Sequence, residues 1–135
     1  MNAWLGGLLA LCLVAVLMTA AYIWTIRPPI PYTAEEVRSG LHYGTIDHVI
    51  DVRDAAAWAE GHYSGAFHLP LRQLPSSLPA TIHDRTKRLL FYGGAEHAFK
   101  ATRIAQDLGY THVGYLVSGN YTGFEYRSAP IRHEM

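Results

Sequence analysis

The clearest structural signal in this chain is the segment LLFYGGAEHAFK, residues 89–100. It begins with an apolar run that predicts a strand, continues through a loop of small residues and enters the first turn of a helix. Such a junction directs backbone N–H groups and the positive end of a helix dipole at one point in space. The segment is therefore suited to hold an anion or a reactive nucleophile.

The composition describes one domain of nearly neutral charge. The 135 residues include eleven basic and eleven acidic side chains, all between Arg27 and Glu134, so we expect no nucleic acid binding. The single cysteine, Cys12, excludes an intrachain disulfide framework and a cysteine-rich metal site. The spacing of the eight histidines contains no helical His-x3-His pair, so we expect neither a metal site nor a cofactor.

The N-terminus is an uncharged apolar stretch. Residues 3–26 contain no Asp, Glu, Lys or Arg and are long enough to cross a hydrocarbon core of about 30 Å at 1.5 Å per residue. We expect residues 1–26 to form a retained transmembrane helix. The alternatives are a buried core helix and a cleaved signal peptide, for which Thr19-Ala20-Ala21 offers a weak cleavage site but Met1-Asn2 offers no basic region.

The flanking charges predict the orientation of this helix. No Lys or Arg precedes it, whereas Arg27 and Arg38 follow it, so the positive-inside rule places the C-terminal domain in the cytoplasm. Small residues at 3 and 7, and at 6 and 10, would allow two such helices to pack closely as a homodimer.

The rest of the chain alternates helices and strands. Three prolines in residues 27–32 predict an extended linker, and two prolines in 73–84 predict an irregular segment with a short helical turn. Helices are predicted at 33–41, 55–60 and 96–108, and strands at 48–53, 66–69, 87–92 and 112–116. This alternation indicates a mostly parallel sheet covered on both faces.

Two ordered motifs resemble the rhodanese (sulfurtransferase) family. The first is IDVR at 50–53, followed by WAEGH at 58–62 and SGAFHLP at 64–70; the second is LVSG at 116–119, with Phe124 and then API at 129–131. The resemblance covers residues 33–132, leaves 133–135 as a tail, and implies an α/β domain with a central, mostly parallel five-stranded sheet flanked by helices. Its framework motif comprises Asp51, Arg53, Glu60, Gly61, His62 and Gly119.

The same resemblance places Tyr92 at the reactive position. The family uses a cysteine there, which takes up sulfur as a persulfide and passes it to a thiophilic acceptor. Tyrosine has no sulfur chemistry, and a phosphatase branch of the fold, which also needs the cysteine, is excluded by the same substitution. The ligand loop that follows comprises Gly93, Gly94, Ala95, Glu96, His97 and Ala98, with His97 at the position of the usual basic residue.

The loop charges also argue against sulfurtransferase activity. Glu96 adds a negative charge where thiosulfate would bind, and a like charge about 4 Å away costs roughly 4 kcal/mol at an effective dielectric of 20. His97 offsets this only when it is protonated. Glu96 also has a structural explanation, because an acid in the first turn complements the helix dipole. Cys12 cannot supply the missing thiol, since hydrocarbon disfavours a thiolate.

Several side chains have both a structural and a functional interpretation. For Asp51 and Arg53 we favour ordering of the strand ends over a catalytic pair. Tyr92 either plugs the substrate cavity, which we favour, or forms the wall of a pocket for a neutral or cationic ligand. An aromatic binding patch is the alternative to packing of a short C-terminal helix for Tyr121, Phe124 and Tyr126.

The sequence therefore predicts a catalytically silent, single-pass membrane protein with a rhodanese-like domain. We expect this domain to act as a binding or scaffolding module for a protein partner, held at the membrane by residues 3–26. Two alternatives stay open. The domain handles sulfur with a thiol that a partner supplies, or it is a stabilising cap for a helix that assembles with other membrane proteins.

Overall fold

A parallel β-sheet forms the centre of the domain. The structure is a computed structural model that describes residues 2–25 and 27–124. The five strands are arranged in the order β1-β5-β4-β2-β3, and every pairing is parallel, which confirms the predicted fold class. The strands are β1 (Ile30–Tyr32), β2 (His48–Asp51), β3 (Phe67–His68), β4 (Arg88–Tyr92) and β5 (His112–Leu116).

Side-chain caps start two of the helices. Glu36 N–H donates to Thr33 Oγ1 at 3.2 Å, and Ala57 N–H donates to Asp54 Oδ1 at 2.8 Å. These bonds satisfy backbone donors that have no partner within the helix. The helices of the described residues are α1 (Ala3–Thr25), α2 (Ala34–Tyr43), α3 (Ala55–Glu60), α4 (Leu74–Thr81) and α5 (Ala95–Asp107).

Two segments differ from the sequence prediction. Residues 30–32, predicted as part of the linker, form the edge strand β1, where Pro31 is tolerated because an edge strand does not need every N–H. Residues 74–81, predicted as part of an irregular segment with a short helical turn, form the longer helix α4. Its first proline lies in the first turn, where no intrahelical N–H bond is lost, and complete burial of Leu74 and Leu78 stabilises the helix despite Pro79.

The sheet separates two apolar layers. Leu89 and Phe91 of β4 face α4 and α5, whereas Leu90 and Tyr92 face α2 and the 3-10 turn Tyr121–Gly123. This alternation is the period of two expected for a strand that is buried on both faces. Consequently, Tyr92 lies in the layer on the opposite side of the sheet from α5.

The helix α1 differs from the domain in composition. It contains no charged residue, and the segment Ala3–Ile23 is not buried by any described part of the chain. It is long and apolar enough to cross a membrane, a property that signal sequences share. The predicted end of the domain at residue 132, the tail 133–135 and the predicted packing of Tyr126 lie outside the described residues.

Candidate functional site

A buried ion pair lies at the carboxyl end of β2. Asp51 is fully buried, and the Arg53 guanidinium contacts both of its oxygens, with Nη2 2.7 Å from Oδ2 and Nε 3.0 Å from Oδ1. The Arg53 N–H also donates to Asp51 Oδ1 at 2.9 Å, and Nη2 donates to the Gly61 carbonyl at 2.7 Å. The pair therefore links the end of β2 to the end of α3.

The electrostatics of this pair keep both groups charged. Burial by itself would raise the pKa of Asp51, but hydrogen bonds from the side chain and backbone of Arg53 and from Tyr92 outweigh it, and the pKa is lowered. The hydrogen bond to Asp51 in turn raises the pKa of Arg53. Because each charge is held by the other, the arrangement suits the ordering of strand ends better than proton transfer.

Tyr92 ends β4 and is buried in the layer that packs against α2 and the 3-10 turn Tyr121–Gly123. Its side chain is 1% exposed, and its ring centroid lies 5.6 Å from that of Phe124. Its hydroxyl accepts the Tyr63 N–H at 3.1 Å and is hydrogen-bonded to Asp51. The pKa of Tyr92 is raised far above the usual value, mainly by burial, so the phenol is neutral at physiological pH.

Tyr121 completes the packing around this phenol. The Arg53 Cζ atom lies 5.4 Å from the ring centroids of both Tyr92 and Tyr121, in the range of cation–π contacts. The hydroxyl of Tyr121 occupies the space that a Cβ at Gly61 would need. Tyr121 lies in the 3-10 turn and Phe124 directly after it, and both pack inward.

The loop after Tyr92 turns sharply through two glycines. Gly93 and Gly94 have φ angles of 144° and 93°, and α5 begins directly afterwards without a side-chain cap. A Cβ at Gly93 would lie 2.9 Å from Arg53 Cγ. Glycine at this position is therefore required both by the backbone angle and by close approach to the ion pair. The first amides of α5 have no intrahelical acceptor, as an anion cradle requires.

The loop charges correct one part of the sequence argument. The Glu96 side chain is 80% exposed and its carboxylate lies 3.4 Å from Lys100 Nζ. Water and this ion pair reduce the repulsion of a bound anion well below the roughly 4 kcal/mol expected for an unscreened neighbour. Ala95 and His97 are also exposed, whereas Ala98 is buried in the layer beneath α5.

An open cleft of about 670 Å³ borders this loop. The residues that line it include Gly93 and His97 of the loop and the side chains of Arg53 and Arg72. Within the described part of the chain, Arg72 takes part in no ion pair. Sequence reasoning missed Arg72, and the available signal was its position directly after the SGAFHLP motif and Leu71.

The framework histidine packs against an aromatic side chain of α3. The rings of His62 and His68 both stack on Trp58, with centroid distances of 3.3 Å and 4.6 Å. His62 Nδ1 donates to the Trp58 carbonyl at 2.8 Å, and His68 Nε2 donates to the Arg53 carbonyl at 2.9 Å, since a carbonyl can only accept. Among the described residues, no group of three His, Cys, Asp or Glu side chains is placed to hold a metal ion.

The site thus combines some predicted residues and leaves others at its margin. Asp51, Arg53, Gly61 and Gly93 meet around Tyr92. Two further framework residues are exposed, one at the end of α3 and one in the turn after β5, namely Glu60 and Gly119.

This geometry agrees with a known family. The model of the rhodanese-like domain matches residues 33–126. The chain belongs to the rhodanese-like family. It is 29% identical over 68 residues to the thiosulfate sulfurtransferase PspE of Escherichia coli (strain K12), a match that covers 50% of this chain and 65% of that relative.

Solved structures support the same fold. The rhodanese-like domain of the Alr3790 protein from Anabaena matches with a TM-score of 0.62 and 23% identity, over 77% of this chain and 86% of that one. A thiosulfate sulfurtransferase from Pseudomonas aeruginosa matches with a TM-score of 0.59 and 28% identity, over 70% of this chain and 18% of that one. Within the rhodanese-like match to residues 33–126 the present chain has no cysteine, because its sole cysteine is Cys12 in α1.

Proposed function

We propose that this protein is a membrane-anchored rhodanese-like domain that binds a protein partner and transfers no sulfur through a nucleophile of its own. The observation that carries the proposal is the buried, neutral phenol of Tyr92 at the family's cysteine position. A phenol cannot form a persulfide, and this one is directed into the layer beneath α2 rather than into the loop. The surrounding framework is intact, so the domain keeps its fold without the nucleophilic cysteine.

The activity test uses the full chain in mild detergent with thiosulfate and cyanide. We expect thiocyanate to form only at the rate of the protein-free reaction, with PspE as the positive control. A Cys12→Ser variant is the matched control, because it removes the only thiol. Catalytic thiocyanate formation that persists in Cys12→Ser would refute the proposal.

The binding role has a separate test. We expect a stoichiometric partner to co-purify with the full chain from detergent-solubilised membranes. His97→Glu adds a second carboxylate to the exposed loop and should weaken this capture. Thr45→Glu adds the same group before β2, at the opposite end of the sheet from the loop, and should not weaken it. Failure of both wild type and Thr45→Glu to retain a partner would contradict the binding role and favour the stabilising cap.

Anchoring by α1 is supported by its length and by the absence of charge. Trp4 and Tyr22 lie near the ends of the apolar segment, where amphipathic aromatic rings favour the membrane interface. We expect an intact mass that includes residues 2–26 and retention in membranes after an alkaline carbonate wash. A mature chain that begins near Ala21 would instead identify a signal peptide. Arg27 and Arg38 support a cytoplasmic domain, which a C-terminal fluorescent fusion would report.

A second candidate function is sulfur handling with a thiol supplied by a partner. It is favoured by the open cleft at the start of α5, which Gly93, His97 and Arg72 help to line. We expect thiosulfate to shift the amide resonances of Gly93–His97, and Arg72→Gln to abolish the shifts. Unchanged resonances at millimolar thiosulfate would remove this candidate.

A further inference from the structure

We propose that the edge at which the strands of the sheet begin rests on anionic phospholipid headgroups, so that the loop after Tyr92 points away from the bilayer. We call this the amino edge and the opposite one the carboxyl edge. The inference rests on the membrane anchor of the proposed function. It adds a lipid-facing surface and fixes the direction in which the candidate site is presented.

The connection between α1 and the domain is short. The helix ends at Thr25 and β1 begins at Ile30, a distance that five extended residues limit to about 17 Å. The Arg27 carbonyl already accepts a hydrogen bond of 2.5 Å from Gln106 Nε2 at the end of α5. The amino edge is therefore held close to the membrane end of α1.

The strand directions then orient the whole domain. Because β1 begins at this connection and all five strands are parallel, every strand begins on the membrane side. β4 runs from Arg88 to Tyr92, which places its carboxyl end about 13 Å farther from the bilayer at 3.3 Å per residue. The loop and the cleft at Arg72 lie beyond that end.

The charges of the domain are distributed unevenly between the two edges. In the described residues, the half next to the amino edge carries five cations and three carboxylates: Arg27, Arg85, Lys87, Arg88 and Arg103 against Asp47, Asp84 and Asp107. The half next to the carboxyl edge carries four cations and six carboxylates: Arg38, Arg53, Arg72 and Lys100 against Glu35, Glu36, Asp51, Asp54, Glu60 and Glu96. An anionic membrane surface therefore attracts the first half and repels the second.

Not every cation of the amino edge is available for headgroups. Arg88 pairs with Asp47 at 2.9 Å, and Arg85 donates to the Tyr110 hydroxyl at 2.8 Å. Lys87 and Arg103 form no ion pair within the described part of the chain. The structure thus assigns headgroup contact mainly to Lys87 and Arg103.

This orientation restricts the partner of the candidate site. A protein that binds the loop after Tyr92 must approach from the aqueous side, or must project well beyond the headgroups. The cleft at Arg72 is accordingly open to soluble partners while the domain stays on the membrane.

The test measures energy transfer from the domain to headgroup-labelled lipid. The full chain, in a Cys12→Ser background, is placed in nanodiscs of phosphatidylcholine alone or with one quarter phosphatidylglycerol. A short-range donor is attached at His83→Cys near the amino edge or at Ser118→Cys near the carboxyl edge, both exposed positions. We expect transfer at least about twofold higher from position 83, since the strands separate the edges by roughly 13 Å.

The charge contribution has its own comparison. In discs with phosphatidylglycerol, Lys87→Glu and Arg103→Glu should each reduce the difference between the two positions, whereas Lys100→Glu, the same change of two charges in the half next to the carboxyl edge, should not. Equal transfer from the two positions, or higher transfer from position 118, would overturn the inference alone. A chain that fails to enter discs would overturn the anchor as well.

Discussion

Replacing Tyr92 with phenylalanine removes one oxygen from the site and leaves the ring in place. The contacts with Phe124 and the buried area of the ring are retained. What disappears is the acceptor for the Tyr63 N–H and the hydrogen bond to the buried carboxylate of Asp51. The change therefore isolates the polar role of the phenol from its role as a filler of space.

The expected cost follows from these two partners. An amide donor left without an acceptor costs about 1–3 kcal/mol, and a hydrogen bond to a charged group contributes a similar amount. Because the Tyr63 amide is only partly buried and water can reach it, we expect Tyr92→Phe to lower the free energy of unfolding by about 2 kcal/mol at pH 7. Tyr43→Phe, at a side chain that is 78% exposed, should change it by less than about 0.5 kcal/mol.

The same variant should alter the alkaline limb of stability. The pKa of Tyr92 in the folded state lies above its value of about 10 in the unfolded chain. Above pH 10 the unfolded chain loses this proton first, so stability falls as pH rises, by up to about 1.4 kcal/mol per pH unit for one tyrosine. Tyr92→Phe lacks this contribution and should show a shallower slope.

Urea unfolding of the full chain in detergent micelles measures both effects. Trp58 fluorescence reports on the domain once Trp4 and Trp24 are replaced by phenylalanine. A Tyr92→Phe variant with wild-type stability at pH 7 and a wild-type alkaline slope would refute the assignment of Tyr92 as a buried hydrogen-bonding group.

Three further outcomes follow from the same contacts. Tyr92→Cys should destabilise the domain by about 3 kcal/mol, as other large-to-small core changes do, and its thiocyanate formation should stay at background because the new thiol lies beneath the strand ends. Asp51→Asn should cost about 3–5 kcal/mol by leaving Arg53 unpaired. It should also reduce the loss of unfolding free energy at acid pH. The lowered pKa of Asp51 gives stability that is present above about pH 4 and lost as pH falls, and the variant lacks this contribution. Gly93→Ala should cost about 2–3 kcal/mol from a strained φ and the clash with Arg53. Gly119→Ala, which meets no neighbour, should cost only about 1 kcal/mol in the same unfolding assay.

The sequence predicted the elements whose patterns are local. The strand runs at 87–92 and 112–116 and the amphipathic helix after Tyr92 are found within a residue or two of their predicted bounds. β1 was missed because three residues with a central proline show no alternation, and its pairing with β5 depends on residues 84 positions away. α4 was predicted only as a short helical turn, because its two prolines hide a helix whose stability comes from burial of Leu74 and Leu78.

The same distinction applies to the site. The match to the family motif located Tyr92, but the direction of its side chain depends on strand alternation and on contacts with Tyr63 and Asp51, which are distant in sequence. Likewise, Arg72 reaches the cleft beside His97 only because the turn after β3 brings it there. The contacts of Tyr92 and the position of Arg72 both depend on the folded chain, so no residue spacing in a single sequence reveals them.

The two outer strands of the sheet have a consequence for the protein at high surface density. One outer strand is only Phe67–His68, and the other, Ile30–Tyr32, has proline at its centre. Short or proline-containing edges are poor templates for pairing with a second sheet, which is how natural proteins avoid edge-to-edge aggregation. Many copies crowded in the plane of a membrane could therefore lie side by side without their sheets joining. Any self-association would then depend on the apolar helix α1.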